Sequence, residues 1–132
     1  MHPGGPYWAR RDAGVWSIPK GECRPCADLL EVACREMEEE TGCRPTGPFL
    51  ALAPVRQRGG KVVHAWAVEA DCDVSELRSN TFSLEWPPRS GVRREFPEVD
   101  RAEWFALDEA RLRINEGQRP LLAQLQTMLE AP

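Results

Sequence analysis

Three glutamates at helical spacing constrain this chain more than any other feature. Glu36, Glu39 and Glu40, in the run Arg35-Glu36-Met37-Glu38-Glu39-Glu40-Thr41-Gly42, stand at i, i+3 and i+4. A helix of about 3.6 residues per turn brings such positions to one side. Like charges so placed repel by a few tenths of a kcal/mol, roughly, per pair. The face therefore calls for a cation, and hard divalent cations with oxygen ligands are the first candidates.

The helix itself is well specified. Asp28 suits the N-cap, and Glu31 three residues on completes an Asp-x-x-Glu capping box. Leu29, Leu30, Val32, Ala33 and Met37 supply apolar surface, no proline interrupts the run, and Gly42 falls where a left-handed residue ends a helix. The glutamates are thus expected on a rigid element, which suits a metal site better than a loose loop.

Extended back to Gly21, the stretch GECRPCADLLEVACREMEEETGC resembles a Nudix box. Gly21, Arg35, Glu36, Met37, Glu39, Glu40 and Gly42 fit its pattern at the expected spacing. Ala27 stands where the pattern has its first Glu, Cys26 where relatives commonly carry Gly, and Cys43 replaces the final aliphatic residue. The last change is mild, since a buried free Cys behaves as a small hydrophobe. Trp16 and the turn Pro19-Lys20-Gly21 resemble the bacterial subgroup acting on dinucleoside polyphosphates and nucleoside triphosphates.

The bounds agree with a small enzyme. A chain of 132 residues with 42% hydrophobic content suits one domain over 1–132. Net charge −4 gives no general attraction to nucleic acid or an anionic membrane. No apolar run approaches the ~20 residues that span a bilayer, and the start, Met1-His2-Pro3-Gly4-Gly5-Pro6, has no secretory pattern. A cytoplasmic location follows, and with it reduced thiols at Cys23, Cys26, Cys34, Cys43 and Cys72. Cys23-x-x-Cys26 lacks a second pair for a zinc site, because the remaining candidates are only His2 and His64.

Along the chain, residues 1–14 read as a loop and Val15 to Ile18 as a short strand. Strands are expected over Phe49 to Val55 and Lys61 to Ala70, joined through Arg56-Gln57-Arg58-Gly59-Gly60-Lys61 as a hairpin. Apolar residues on both faces of the second strand suggest that it is covered on both sides, with His64 and Trp66 packed rather than catalytic. Thr81 to Trp86 alternates as a half-buried strand, Pro87 to Gly91 forms a stiff loop in a region made densely positive by Arg89, Arg93 and Arg94, and Ala102 to Phe105 is a further strand. Asp108 caps a helix over Glu109 to Ile114. A leucine stripe, Leu121, Leu122, Leu125 and Leu129, marks a last helix from Arg119.

The order of elements implies an α/β chain with helical layers on a mixed sheet, and the resemblance makes it the Nudix α/β/α sandwich. Relatives carry a further strand before the position of Val15. Either Met1 is a misplaced start, or the fold lacks its first strand and an exposed edge invites a homodimer.

The resemblance also implies the chemistry: Mg²⁺- or Mn²⁺-dependent hydrolysis of the diphosphate bond in a nucleoside diphosphate linked to another group. Phosphoryl transfer needs charge neutralised on nonbridging oxygens and a water held in line. By resemblance, Glu39, Glu40 and the Gly21 carbonyl are metal ligands, Glu36 is a ligand or base, and Arg35 orients the glutamates. A downstream glutamate, Glu98 or alternatively Glu95, accepts the proton of the water. Lys20 and Arg89 are the phosphate-contact candidates. Ala27 removes a supporting residue, a loss worth about 10–100-fold in a metal site. Ala27, Cys26 and the short N-terminus favour an alternative, a catalytically weak binding or regulatory module of the same fold. The retained glutamates and Arg35 favour the enzyme.

Overall fold

The computed structural model describes residues 1–21, 28–75 and 77–131. Cys23, Cys26 and Ala27, which carry the departures in the loop before the helix, lie outside the described residues.

Helix α1 spans Leu29–Thr41 and forms where its caps dictate. Asp28 lies in an extended conformation and its Oδ1 accepts the Glu31 N–H at 3.3 Å. At the other end Gly42 takes φ +77° and donates its N–H to the Glu38 carbonyl at 2.8 Å. A side chain would be strained at that φ. The expected capping box is made on one side only, because the Glu31 carboxylate instead receives both 2.7 Å hydrogen bonds from Arg44 Nη2.

The next four strands form one interrupted hairpin. Strand β2 (Leu50–Ala51) pairs with β5 (Trp66–Ala67), and β3 (Val55–Arg56) pairs with β4 (Val62–Val63), all antiparallel. Leu52 N–H donates to Ala65 O at 2.9 Å and Gln57 N–H to Lys61 O at 2.7 Å, extending both ladders. Opposite His64 the register slips by one, where Pro54 has no N–H to give the ladder. The two long strands read from the sequence are therefore each broken in two. Gly59 and Gly60 turn the chain at φ +91° and +87°.

Only one face of this hairpin is covered. Val63 and Ala65 are buried with Leu121 of α3, and Ile18, Leu52 and Val55 pack around them. His64 points outward and Trp66 is half-buried, so the expected burial of both faces is corrected. No helix lies over the Val62/His64 side among the described residues, and Val62 is 42% exposed.

A second antiparallel hairpin joins β6 (Thr81–Glu85) to β7 (Arg93–Pro97), with five paired positions from Thr81↔Pro97 to Glu85↔Arg93. Pro87 to Gly91 is the loop at the tip of this hairpin, as expected, while Arg93 and Arg94 lie in β7. Strand β8 (Val99–Arg101) pairs with β1 (His2–Pro3), so the first residues are not simply a loop. His2 is fully buried there, its Nδ1 2.7 Å from Asp100 Oδ1 and its Nε2 2.6 Å from the Arg11 carbonyl. The Val15 to Ile18 strand reduces to one parallel bridge, Trp16 to Ile114. The strand expected over Ala102 to Phe105 lies instead at β8, just before it.

Helix α2 spans Leu107–Arg113, with Asp108 in its first turn rather than at the cap. A 3-10 turn at Glu116–Gln118 leads into α3, Arg119–Glu130. The molecule is thus α/β, with its described strands paired as small antiparallel ladders. The parallel element expected of a mixed sheet survives only in the Trp16 bridge.

One pairing overturns an expectation. Cys43 and Cys72 form a disulfide with Cα atoms 5.7 Å apart, where reduced thiols were expected. Spacing along the chain carries no sign of it, because the partners meet only after α1 and the first hairpin have folded. The expectation of reduced thiols rested on the cytoplasmic location read from the start of the chain. Among the described residues no helix is long and apolar enough to cross a membrane.

Candidate active site

The end of α1 is where the predicted residues meet. Glu40 is buried (9% exposed), Glu36 is half-buried, and Glu39 and Glu98 are exposed. Burial first, then the nearby carboxylates of Glu36, Glu98 and Glu39, push the Glu40 carboxyl up from about 4.5 to about 7, while the Met1 amino group pulls the other way. Glu98 thus reaches α1 electrostatically from the junction of β7 and β8, although it is distant in sequence.

Backbone bonds fix that junction. Glu98 N–H donates to Asn80 O at 2.8 Å, and Gly4 N–H donates to Glu98 O at 2.9 Å. A Cβ on Gly4 would run into the Pro97 carbonyl, so only glycine lets the N-terminal strand lie this close. Glu95, the alternative downstream glutamate, sits within the β6–β7 ladder opposite Ser83 and is not among the groups that shift Glu40.

Gly21 also returns to the helix. A Cβ there would collide with the Glu36 side chain, so its backbone lies directly against a carboxylate stem. Two further ties hold the helix end: Arg78 N–H donates to the Glu40 carbonyl at 2.6 Å, and the Cys43–Cys72 disulfide follows directly after Gly42. Arg78 thereby satisfies one of the last carbonyls that a helix leaves unpaired.

Other predicted residues are placed less closely. Arg35 Nε lies 4.0 Å from Glu39 Oε1, with both side chains more than half exposed. Such a pair is worth well under ~1 kcal/mol. Arg44, missed from the sequence, grips α1 harder, through Glu31 at 2.7 Å and Glu38 at 3.9 Å. Lys20 is exposed beside Gly21. Arg89 sits at φ +62° in the turn at the tip of the β6–β7 hairpin. Glu98 follows the other end of that ladder, and five paired positions at about 3.4 Å per residue separate the two by more than about 13 Å. The structure therefore does not bring Arg89 to the carboxylates.

A hard divalent cation fits this donor set by chemistry. The group is all oxygen, one carboxyl is pushed up to about 7 by burial and by its neighbours, and Gly21 presents backbone against Glu36. Among the described residues no three His, Cys, Asp or Glu side chains converge as a finished coordination sphere. The arrangement is a shared carboxylate face.

Against the apolar stripe of α1 lies a cavity of about 410 Å³, walled also by β5, α2 and α3. Leu30, Ala33, Met37 and Thr41 enter its wall from one stripe of α1, and Leu121, Leu122 and Leu125 from α3.

A doubly capped helix thus ends in a carboxylate face that a downstream glutamate approaches. The comparisons name the family: residues 6–125 match the family model of the NUDIX domain, and the chain belongs to that family. It is 26% identical over 102 residues to "Nudix hydrolase 6" of Arabidopsis thaliana, an alignment covering 75% of this chain and 31% of that protein. The chain therefore spans about a third of the length of that curated relative. No solved structure matches the chain. The chain is thus a NUDIX domain, of a family whose enzymes hydrolyse nucleoside diphosphate derivatives and generally use divalent metal ions.

Proposed function

We propose that this chain hydrolyses the diphosphate bond of a nucleoside diphosphate linked to another group, using Mg²⁺ or Mn²⁺. The observation that carries this reading is the Glu40 carboxyl, raised to about 7 by burial and by Glu36, Glu98 and Glu39. Carboxylates so crowded that one tends to keep its proton are what a cation site presents before loading. Glu36, Glu39, Glu40 and the Gly21 carbonyl would hold the metal. When bound, the metal supplies neutralisation of charge on the nonbridging phosphate oxygens.

The chain's own residues do the rest. Glu98, acceptor-only when ionised, takes the proton of the attacking water at a carboxylate oxygen. Its backbone bonds to Asn80 and Gly4 keep that carboxylate beside α1. Lys20, next to Gly21, offers a point charge to a phosphate. Arg35 acts on Glu39 as a positioning residue, not on substrate.

The test is turnover of dinucleoside polyphosphates, nucleotide sugars and nucleoside triphosphates with Mg²⁺ or Mn²⁺. Wild-type protein should show metal-dependent release, and Glu40→Gln and Glu39→Gln should each lower kcat/KM at least ~100-fold, about 2.7 kcal/mol. Turnover indifferent to both variants, or absent on every substrate, would defeat the reading.

A further inference from the structure

We infer that His2 is a positioning residue for Glu98: its buried ring pins the register of β1 on β8, and that register decides where the Glu98 carboxylate stands. The inference rests on the hydrolase reading above for the role of Glu98, and on the strand pairing alone for the role of His2.

The pairing of these two strands is irregular. His2 stands opposite Arg101 and Pro3 opposite Val99, so β8 takes two steps where β1 takes one. The extra residue of this bulge is Asp100, and its Oδ1 is what meets the His2 ring, at 2.7 Å. A bulge re-aims side chains, and a slip of one residue turns every side chain of a strand to the other face. Just past the bulge, the Gly4 N–H donates to the Glu98 carbonyl at 2.9 Å. Without the bulge, Gly4 would stand opposite Val99 instead. The Glu98 carboxylate acts on Glu40 across the site, so a slip of β1 on β8 would be felt there.

Little else among the described residues holds β1 in this register. The strand is two residues long, and Pro3 has no N–H for the ladder. The Ser17 N–H donates to the Met1 carbonyl at 2.9 Å, which ties the chain to a segment other than β8. The His2 ring does more. It is fully buried, its Nε2 lies 2.6 Å from the Arg11 carbonyl, and its edge meets the Trp16 ring at 5.1 Å. A carboxylate and a carbonyl only accept, so the ring satisfies both by donating from each nitrogen. Arg101 also reaches Asp100 Oδ1, but at 3.6 Å and from a side chain 46% exposed, a weaker hold.

The test is a double-mutant cycle on the full chain in the turnover assay. His2→Phe keeps a ring against Trp16 and removes both hydrogen bonds. It should lower kcat roughly tenfold or more, with KM changed less than about twofold. In a Glu98→Gln background the same change should lower kcat less than about twofold, because the group it positions is already gone. Equal losses in the two backgrounds, or no loss in either, overturn the inference. Should circular dichroism show that His2→Phe does not fold, Asp100→Ala breaks the bridge from β8 and should give the same pattern. Hydrogen exchange reads the strand without turnover. The Gly4 amide should exchange roughly tenfold faster or more in either variant, while the Val63 and Leu121 amides keep their wild-type rates. A Gly4 amide that does not respond overturns the inference. Wild-type protein that turns over no substrate, while Gly4 still responds to His2, would strike the hydrolase reading and leave the strand lock standing, so the two failures are distinguishable.

Discussion

Helices α1 and α3 have nearly the same length, 13 and 12 residues, and are specified in opposite ways. Helix α1 is fixed by its ends: Asp28 caps one, Gly42 closes the other, and Cys43 is bonded to Cys72 just beyond. What it buries is Cys34, Glu40 and Thr41, while its apolar stripe faces a cavity. Helix α3 has no side-chain cap and carries Pro120 in its first turn, yet Leu121 is 2% exposed in the core with Val63 and Ala65. One helix is held at its ends by local chemistry and the other mainly by the packing of Leu121, although both turn apolar side chains to the same cavity.

The disulfide is the largest single restraint on α1. It closes a separation of 29 residues, for which loss of chain entropy gives about 3–4 kcal/mol. Cys43→Ser is expected to lower stability by about that amount in urea unfolding, with the α1 amides losing most hydrogen-exchange protection. An unchanged urea midpoint would show that α1 does not depend on the bond. The core should respond next. Leu121→Ala is expected to cost about 3 kcal/mol, within the usual range for core leucines, and Met37→Ala on the cavity side less than half as much. Equal costs would mean that α1 packs like α3 and that the contrast is false.

The ends of α1 were legible in the sequence because capping is local: Asp28, Gly42 and the glutamate spacing all act within a turn or two. The Gly59-Gly60 turn and the leucine stripe of α3 were legible for the same reason. What escaped depends on partners far along the chain. His2–Pro3 pairs with Val99–Arg101, Cys43 with Cys72, and Trp16 with Ile114. None leaves a period in the sequence around it. Pro54 was visible, but its effect, splitting both strands of the hairpin, needed the partner strand to be known. In the site, Glu36, Glu39 and Glu40 could be read from spacing, whereas the approach of Glu98 depends on the fold of residues 80–98 and on Gly4.

Titration of Glu40 separates the functional end of α1 from the rest of the fold. The folded state holds this carboxyl at about 7, above the ordinary 4.5. Its contribution to stability is therefore fully present below the unfolded value and is lost as pH rises through the folded one. Metal-free protein should lose stability between about pH 4.5 and 7, with a slope from this group no steeper than one proton, about 1.4 kcal/mol per pH unit. Glu40→Gln should flatten that part of the profile, and Mg²⁺ should raise Tm more at pH 8 than at pH 5, since proton and metal compete for the same oxygens. Profiles of wild type and variant that superimpose would remove Glu40 from the account.

The smallest effect bears most directly on how α1 is specified. Asp28 Oδ1 accepts one N–H, that of Glu31, at 3.3 Å in an exposed position. Removing a cap of this kind costs about 1 kcal/mol. Because little packing holds α1 in place, that loss is expected to appear as opening of its first turns, not as global unfolding. Asp28→Ala should therefore speed hydrogen exchange near the start of α1 and leave the Val63, Ala65 and Leu121 amides unchanged, whereas Leu121→Ala should speed exchange throughout. Asp28→Asn, which retains a capping oxygen, should restore most of the protection. If Asp28→Ala instead loosened both helices equally, α1 would share the cooperative core of α3, and the carboxylate face would be held by packing after all.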